Sequence, residues 1–379
     1  MDFRPTEEQT AAADLAAEIL RDLATHERLA AAGTASDAEL WKALTTAGLP
    51  AAVPDLGLLG LVLLLEEQGR TTAQVPLAAT CVYGIHAVAA HGTPEQRARL
   101  LPALGSGDAV ATGVFPAPGG RARVTADPDG RLTGILPVVP WLRDATHVLV
   151  PAADRALWLV RTDAPGAAVE PVETTAPWAA GRLTLTGTPA EPLGGPGAYA
   201  AVLAAARTAF AGLQAGVCAG SVARAVAHTA TREQFGRPLS THQGVMLRAA
   251  DAHMDTEAIR VTTYEAAWRI DAGLPAAEHA LTAAWWASEA GKRVVHAGQH
   301  LHGGTGADLD HPVHRHFLWG RQLDAYLGCG SELLAELGEL LAHDGDHGAD
   351  HDGDHGADRD GDHGAANGAD HHAYEEEHA

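Results

Sequence analysis

The chain has 379 residues, 46% of them hydrophobic, which is enough for a large core with two or three packed subdomains. Its formal charge is −22, half of it carried by residues 343–379, and no long basic stripe interrupts the rest. That balance argues against nucleic acid as a partner and against adhesion to anionic membranes. Cys81, Cys218 and Cys329 are scattered without C-x-x-C spacing, so neither a disulfide framework nor a zinc ribbon is expected. The first residues lack the apolar stretch of a signal peptide, and the longest apolar runs are interrupted by Arg, His or Gly, so they read as core helices in a cytoplasmic protein.

Residues 1–118 read as a helical domain. Thr6-Glu-Glu-Gln9 is a capping box whose helix is expected to reach about Leu29. Ser36-Asp-Ala-Glu39 reads as a second box, with its helix stopping near Gly48. Thr93-Pro-Glu-Gln96 is a third, with Pro94 at the favoured first helical position. Between them, residues 58–67 form an apolar helix.

Residues 119–192 change character, with short alternating runs separated by Gly and Pro. Segments 123–126 and 131–135, joined by Asp127-Pro-Asp-Gly130, predict a hairpin; 147–150, 156–161 and 182–186 predict further strands. This is a small β domain inserted between helical ones. Residues 193–342 return to helix, over 199–231, 242–272, 276–302 and 331–343, which predicts an antiparallel bundle of about four helices. The first is apolar almost all round, as a helix buried against other helices or subunits would be. The fold class is therefore α+β, mostly α.

Residues 343–379 form an octad repeat. His343-Asp-Gly-Asp-His-Gly-Ala-Asp350 recurs identically at 351–358 and with drift at 359–366. The repeat has no apolar side chain larger than Ala and is expected to be disordered. His343, His347, His351 and His355, interleaved with Asp, are candidate ligands for a divalent transition metal; a solvated acidic extension is the other reading.

The densest chemistry lies between the first two bundle helices. Arg232-Glu-Gln-Phe-Gly-Arg-Pro-Leu239, followed by Thr241-His-Gln243, holds a fixed cation, an aromatic ring, a glycine turn and a side-chain amide within a dozen residues. An Arg fork suits a pyrophosphate, and Gly236 and Pro238 set a tight turn. The set suits an anionic, partly aromatic ligand such as a flavin dinucleotide; an ordinary helix–helix loop has the same spacing.

Helical domain, β domain and bundle, in that order and with Arg-x-Gln-Phe-Gly-x-Pro-Leu in the bundle, resemble the acyl-CoA dehydrogenase family over about residues 3–342. Asp37-Ala-Glu-Leu-Trp41, the Leu65–Gly69 stretch with Pro76, and His302-Gly-Gly-Thr-Gly306 with His311-Pro312 are similar to further family segments. The resemblance implies FAD, contacted by Arg232, Phe235 and Gln243, and by the bare backbone of Gly303 and Gly304 from a neighbouring subunit. It implies a tetramer, α,β-dehydrogenation of an acyl-CoA thioester, and an electron-transfer partner that reoxidises the flavin.

The chain departs from that pattern at the catalytic base. The family's usual Glu, in a Tyr-Glu-Gly triplet, falls at Leu327 between Tyr326 and Gly328, and the alternative position on the first bundle helix falls at Ala206. The nearest carboxylates in sequence are Asp324 and Glu332. His296, His300, His302, His311, His314 and His316 lie nearby as conceivable substitutes. Arg207 is either a buried cation beside the substrate thioester or a helix–helix tie. Three readings follow: a flavoprotein dehydrogenase acting as one subunit of an oligomer, a catalytically weak partner that completes the FAD site of a Glu-bearing homologue, or a metal-buffering protein working through its tail.

Overall fold

A computed structural model of the chain describes the backbone of residues 2–120 and 123–349, and the side chains of those up to residue 342. Contacts divide the chain into two units, Met1–Leu340 and Leu341–Ala379. The first begins with α1 (Glu7–Leu23), α2 (His26–Ala32), α3 (Ala38–Thr46) and α4 (Leu49–Thr71). Then α5 (Leu77–Ala79), a π-helical stretch Thr80–His86 and α6 (Ala87–His91) run on to α7 (Pro94–Ser106).

Local capping explains where these helices start. Thr6 with Gln9 and Thr93 with Gln96 form reciprocal capping boxes. The first helix ends at Leu23 instead of about Leu29, because Thr25 caps a new helix through the Arg28 amide. The second box is displaced by one residue. Asp37, not Ser36, accepts from the Leu40 amide at 3.0 Å, and the Ser36 hydroxyl donates to Asp144 in the β domain at 2.6 Å. The apolar helix α4 is longer than the sequence pattern predicts and breaks at Gly57, where φ is 72°. The Asp271 carboxylate caps its second segment, accepting from the Leu58 and Leu59 amides at 2.7 and 2.9 Å.

The β domain is two four-stranded sheets. The strands are β1 (Ala111–Gly113), β2 (Val124–Ala126), β3 (Arg131–Val139), β4 (His147–Pro151), β5 (Leu157–Arg161), β6 (Ala167–Pro171), β7 (Gly181–Pro189) and β8 (Glu191–Leu193). Their orders are β1-β4-β5-β8 and β2-β3-β7-β6. The expected hairpin is present as β2–β3, with Thr125 opposite Thr133 and the Asp127 carboxylate accepting from the Asp129 and Arg131 amides. Val124, Leu132, Val148, Val160 and Leu183 form the core of this domain.

The bundle is α8 (Ala198–Thr231), a two-residue-stranded ribbon of β9 (Glu233–Gln234) and β10 (Arg237–Pro238), α9 (Gln243–Asp271), α10 (Ala277–Leu301), α11 (Pro312–Leu323) and α12 (Gly330–Ala349). The sequence pattern anticipated four of these helices and not α11. The backbone of α12 continues past the expected end at His343 to Ala349. The side chains of His343 and His347, and all of His351 and His355, lie outside the described residues.

The packing of α4 on α8 sets the centre of the molecule. A Cβ on Gly216 would lie 2.0 Å from the Glu66 carbonyl oxygen, and one on Gly69 would lie 2.2 Å from that of Leu213. The helices therefore cross backbone to backbone. Both are long and apolar enough to cross a membrane by composition alone, but 67% and 83% of their apolar windows are buried within the protein. They are core helices here.

Candidate functional site

The Arg232 segment begins where α8 ends. Its ribbon turns at Phe235 (φ 55°) and Gly236 (φ 78°), two consecutive left-handed residues, as a two-residue hairpin turn of type I′ requires. Glycine takes that conformation freely; phenylalanine does so under strain. Phe235 is also 91% exposed, so no burial within the chain offsets the strain. Its ring meets only His242 edge-on at 5.9 Å among the described ring contacts. Gln243, the first residue of α9, is exposed beside it.

Across from this ribbon, α10 ends in a short 3-10 turn, Gly303–Ala307. The glycines there have different jobs. Gly303 has φ 62°, and a Cβ on Gly306 would lie 2.2 Å from the Gln299 carbonyl oxygen, so both are needed by the chain's own backbone. Gly304 has no such requirement, and a Cβ there would touch nothing within 4 Å. Arg232, Gly303 and Gly304 line one pocket of about 670 Å³, together with His228, His300 and His302. Phe235 and Gln243 lie outside its lining. In a chain of formal charge −22, no carboxylate lines this pocket among the described residues.

The second region surrounds Leu327 and Ala206, both buried. A cavity of about 20 Å³ lies there, lined by Arg207, Phe210, Tyr326, Leu327, Gly328 and Leu333 among others. That is room for about one water. Aromatic rings fill the surrounding cleft between the β domain and the bundle. Tyr326 packs on Phe210 at 4.6 Å and on Trp178 at 6.0 Å. Its hydroxyl lies 2.9 Å from that of Tyr83 and donates to the Gly113 carbonyl of β1 at 3.2 Å. Burial, with the Tyr83 hydroxyl alongside, pushes the Tyr326 phenol well above its usual range, so it stays neutral. A Cβ on Gly328 would lie 2.6 Å from Pro118, so the loops of the two domains touch directly.

The carboxylates near this cleft are committed elsewhere. Glu332 accepts from the Cys329 amide at 2.9 Å. Asp324 pairs with Arg321 at 3.1 Å, and burial raises its carboxyl above the usual value. Neither lines the cavity, nor does any of the six nearby histidines. Arg207 is 5% exposed and forks onto Glu336 of α12 at 2.8 and 2.6 Å. The geometry is that of a helix–helix tie. Glu336 escaped the sequence reading because it lies 129 residues from Arg207.

Two sequence profiles match the chain: "Acyl-CoA dehydrogenase, N-terminal domain" over residues 6–108 and "Acyl-CoA dehydrogenase, C-terminal domain" over residues 194–337. Acyl-CoA dehydrogenase FadE27 of Mycobacterium tuberculosis is 35% identical over 333 residues, covering 81% of this chain and 88% of its own. The chain belongs to the acyl-CoA dehydrogenase family. Solved structures agree. A Tcur3481-Tcur3483 steroid dehydrogenase variant superposes with a TM-score of 0.85 at 43% identity, covering 89% of this chain and 99% of its own. The ChsE4-ChsE5 complex of M. tuberculosis gives 0.84 at 32% identity, covering 90% and 99%.

Acyl-CoA dehydrogenases are FAD-dependent oxidoreductases, and the donors of the larger pocket fit the diphosphate of that cofactor. They comprise one guanidinium, three imidazoles, a hydroxyl from Thr305 and exposed backbone at Gly303 and Gly304, with no competing carboxylate. His228, His300 and His302 were not part of the motif reading. One signal was available: His228 precedes Arg232 by four residues and so shares its helical face.

Proposed function

We propose that this chain is a subunit of a mixed acyl-CoA dehydrogenase oligomer. It completes the FAD site, while a related Glu-bearing chain carries out α,β-dehydrogenation of the acyl-CoA thioester. The observation that carries this reading is the contrast between the two pockets. The one at Arg232, Gly303 and Gly304 is open, at about 670 Å³; the one at Leu327 is closed to about 20 Å³. Two structural relatives are named as pairs of different proteins, one of them as a steroid dehydrogenase. A steroid-bearing acyl thioester is accordingly the substrate class assigned to the assembly, with an electron-transfer protein to reoxidise it.

FAD, when bound, supplies the acceptor for the hydride leaving the β-carbon. The chain's own residues then do three things. Arg232 and the imidazoles beside it neutralise diphosphate charge. Gly304 leaves backbone uncovered for close approach. Phe235 presents an aromatic face from a turn whose strain only an intermolecular contact repays. Taking the α-proton is absent from this set. Leu327 and Ala206 are hydrocarbon, and Arg207 occupies both oxygens of Glu336. A general base contributes about 10²- to 10⁴-fold in rate, which the Glu-bearing chain supplies.

Expression of the chain alone and with a Glu-bearing relative tests this. The chain alone is expected to be colourless and the pair yellow and bleached by acyl-CoA. A chain that is yellow by itself and bleached by acyl-CoA contradicts the proposal.

A further inference from the structure

Three imidazoles converge on the wall of the open pocket. His228 of α8 stacks on His302 with ring centroids 4.7 Å apart and planes at 26°. His302 in turn meets His311, the N-cap of α11, at 5.0 Å and 61°. The tautomer of His302 follows from its one-sided bonding. Its Nδ1 lies 2.7 Å from the Gly298 carbonyl, which only accepts, so Nδ1 carries the proton and Nε2 is the basic nitrogen. His302 is 4% exposed, so the stack is built into the fold.

The surroundings decide how many protons this stack holds. Facing it are Arg232 and Arg224 from α8, His26 from α2, and Asp308 from the turn before α11. Arg248 of α9 lies 3.2 Å from His300 on the same pocket wall. Burial, then the charges of His302, His311 and Arg232, hold His228 below the usual imidazole value. His311 is held down by burial and by His302 and Arg224, with Asp308 opposing. Cations thus dominate, and the stack is neutral near pH 7 when no anion is present. A dianion in the pocket reverses the balance. One proton then becomes favourable, because an imidazolium stacks well on a neutral imidazole; a second is opposed by the first.

We infer that His228 and His302 form a proton-coupled subsite for the diphosphate of the flavin dinucleotide, taking up one proton from solvent as the cofactor binds. This rests on reading the pocket as the flavin pocket. The sign follows from linkage. Binding raises the imidazole's affinity for its proton, so FAD affinity is full below the value of the empty site and falls as pH rises through that of the occupied one.

The test uses the flavin-stripped oligomer containing this chain, with FAD as the probe; its diphosphate diester does not itself titrate in this range. FAD affinity is expected to weaken about tenfold between about pH 6 and about pH 8. Calorimetry in buffers of different ionisation heat should show about one proton taken up per FAD. His228→Gln should bind FAD with little pH dependence and no proton uptake. His228→Lys should keep the low-pH affinity up to about pH 8, which a merely structural role would not produce. FAD binding that is flat with pH in the wild type, or proton uptake unchanged in His228→Gln, overturns the inference and leaves the flavin reading standing. Absence of FAD binding at every pH overturns both.

Discussion

At the scale of single residues, the closed cleft makes an unusual forecast about Leu327. Restoring the carboxylate with Leu327→Glu would ordinarily be expected to restore activity in a subunit that lacks only its base. Here the surrounding space is about 20 Å³ and packed with rings, so the variant should show no α-proton exchange with acyl-CoA. Exchange detected by deuterium incorporation would mean the cleft opens. The Arg207–Glu336 fork gives a stability forecast. Glu336→Ala leaves a guanidinium whose side chain is 6% exposed without its counter-charge. Because Glu336 itself is 34% exposed, the cost should be moderate, about 2 kcal/mol by urea unfolding. His316 sets a pH dependence. It is 1% exposed, between the Arg70 and Pro312 carbonyls, and burial lowers its imidazole to about 4. The folded value lies below the unfolded one. The unfolded chain therefore takes the proton first as pH falls, and stability is lost from about pH 6.5 down to about pH 4, by roughly 3 kcal/mol in all. His316→Gln should flatten that part of the stability–pH curve.

At the scale of elements, the α4–α8 crossing should be the least tolerant place in the chain. Gly216→Ala puts a methyl 2.0 Å from the Glu66 carbonyl oxygen, so the two backbones must separate. We expect roughly 3 kcal/mol of destabilisation, read as a shift in the denaturation midpoint. Elements with a strong local signal were legible in the sequence: the Thr6 and Thr93 capping boxes, the hairpin at Asp127–Gly130, and the long helices of the bundle. What escaped has a physical reason in each case. Helix α11 has only 12 residues, opens on a proline and carries His314 and His316, so its residues read as a histidine cluster before they read as a helix. β1 and β8 are three residues each and exist only through pairing with β4 and β5. The shift of a cap from Ser36 to Asp37 depends on Asp144, more than a hundred residues away.

At the scale of the whole molecule, the site divides along the same line. Arg232, Gly303 and Gly304 carry local motif signals, and the fold brings them to one pocket. The closure of the cleft at Leu327 was legible only as a missing Glu. Its filling by Tyr83, Phe210, Tyr326 and Trp178 comes from four distant segments that only the tertiary structure joins. The outcome is a chain with an open anion pocket, an exposed strained aromatic and no room for an acyl group at the vestigial base. The central claim is that this chain serves a flavin whose chemistry happens elsewhere. The most direct test is the flavin absorbance of the purified two-chain oligomer carrying Arg232→Ala in this chain alone, the Glu-bearing partner being wild type. The account predicts that the oligomer assembles but loses its flavin; an oligomer that retains its full flavin content would contradict it.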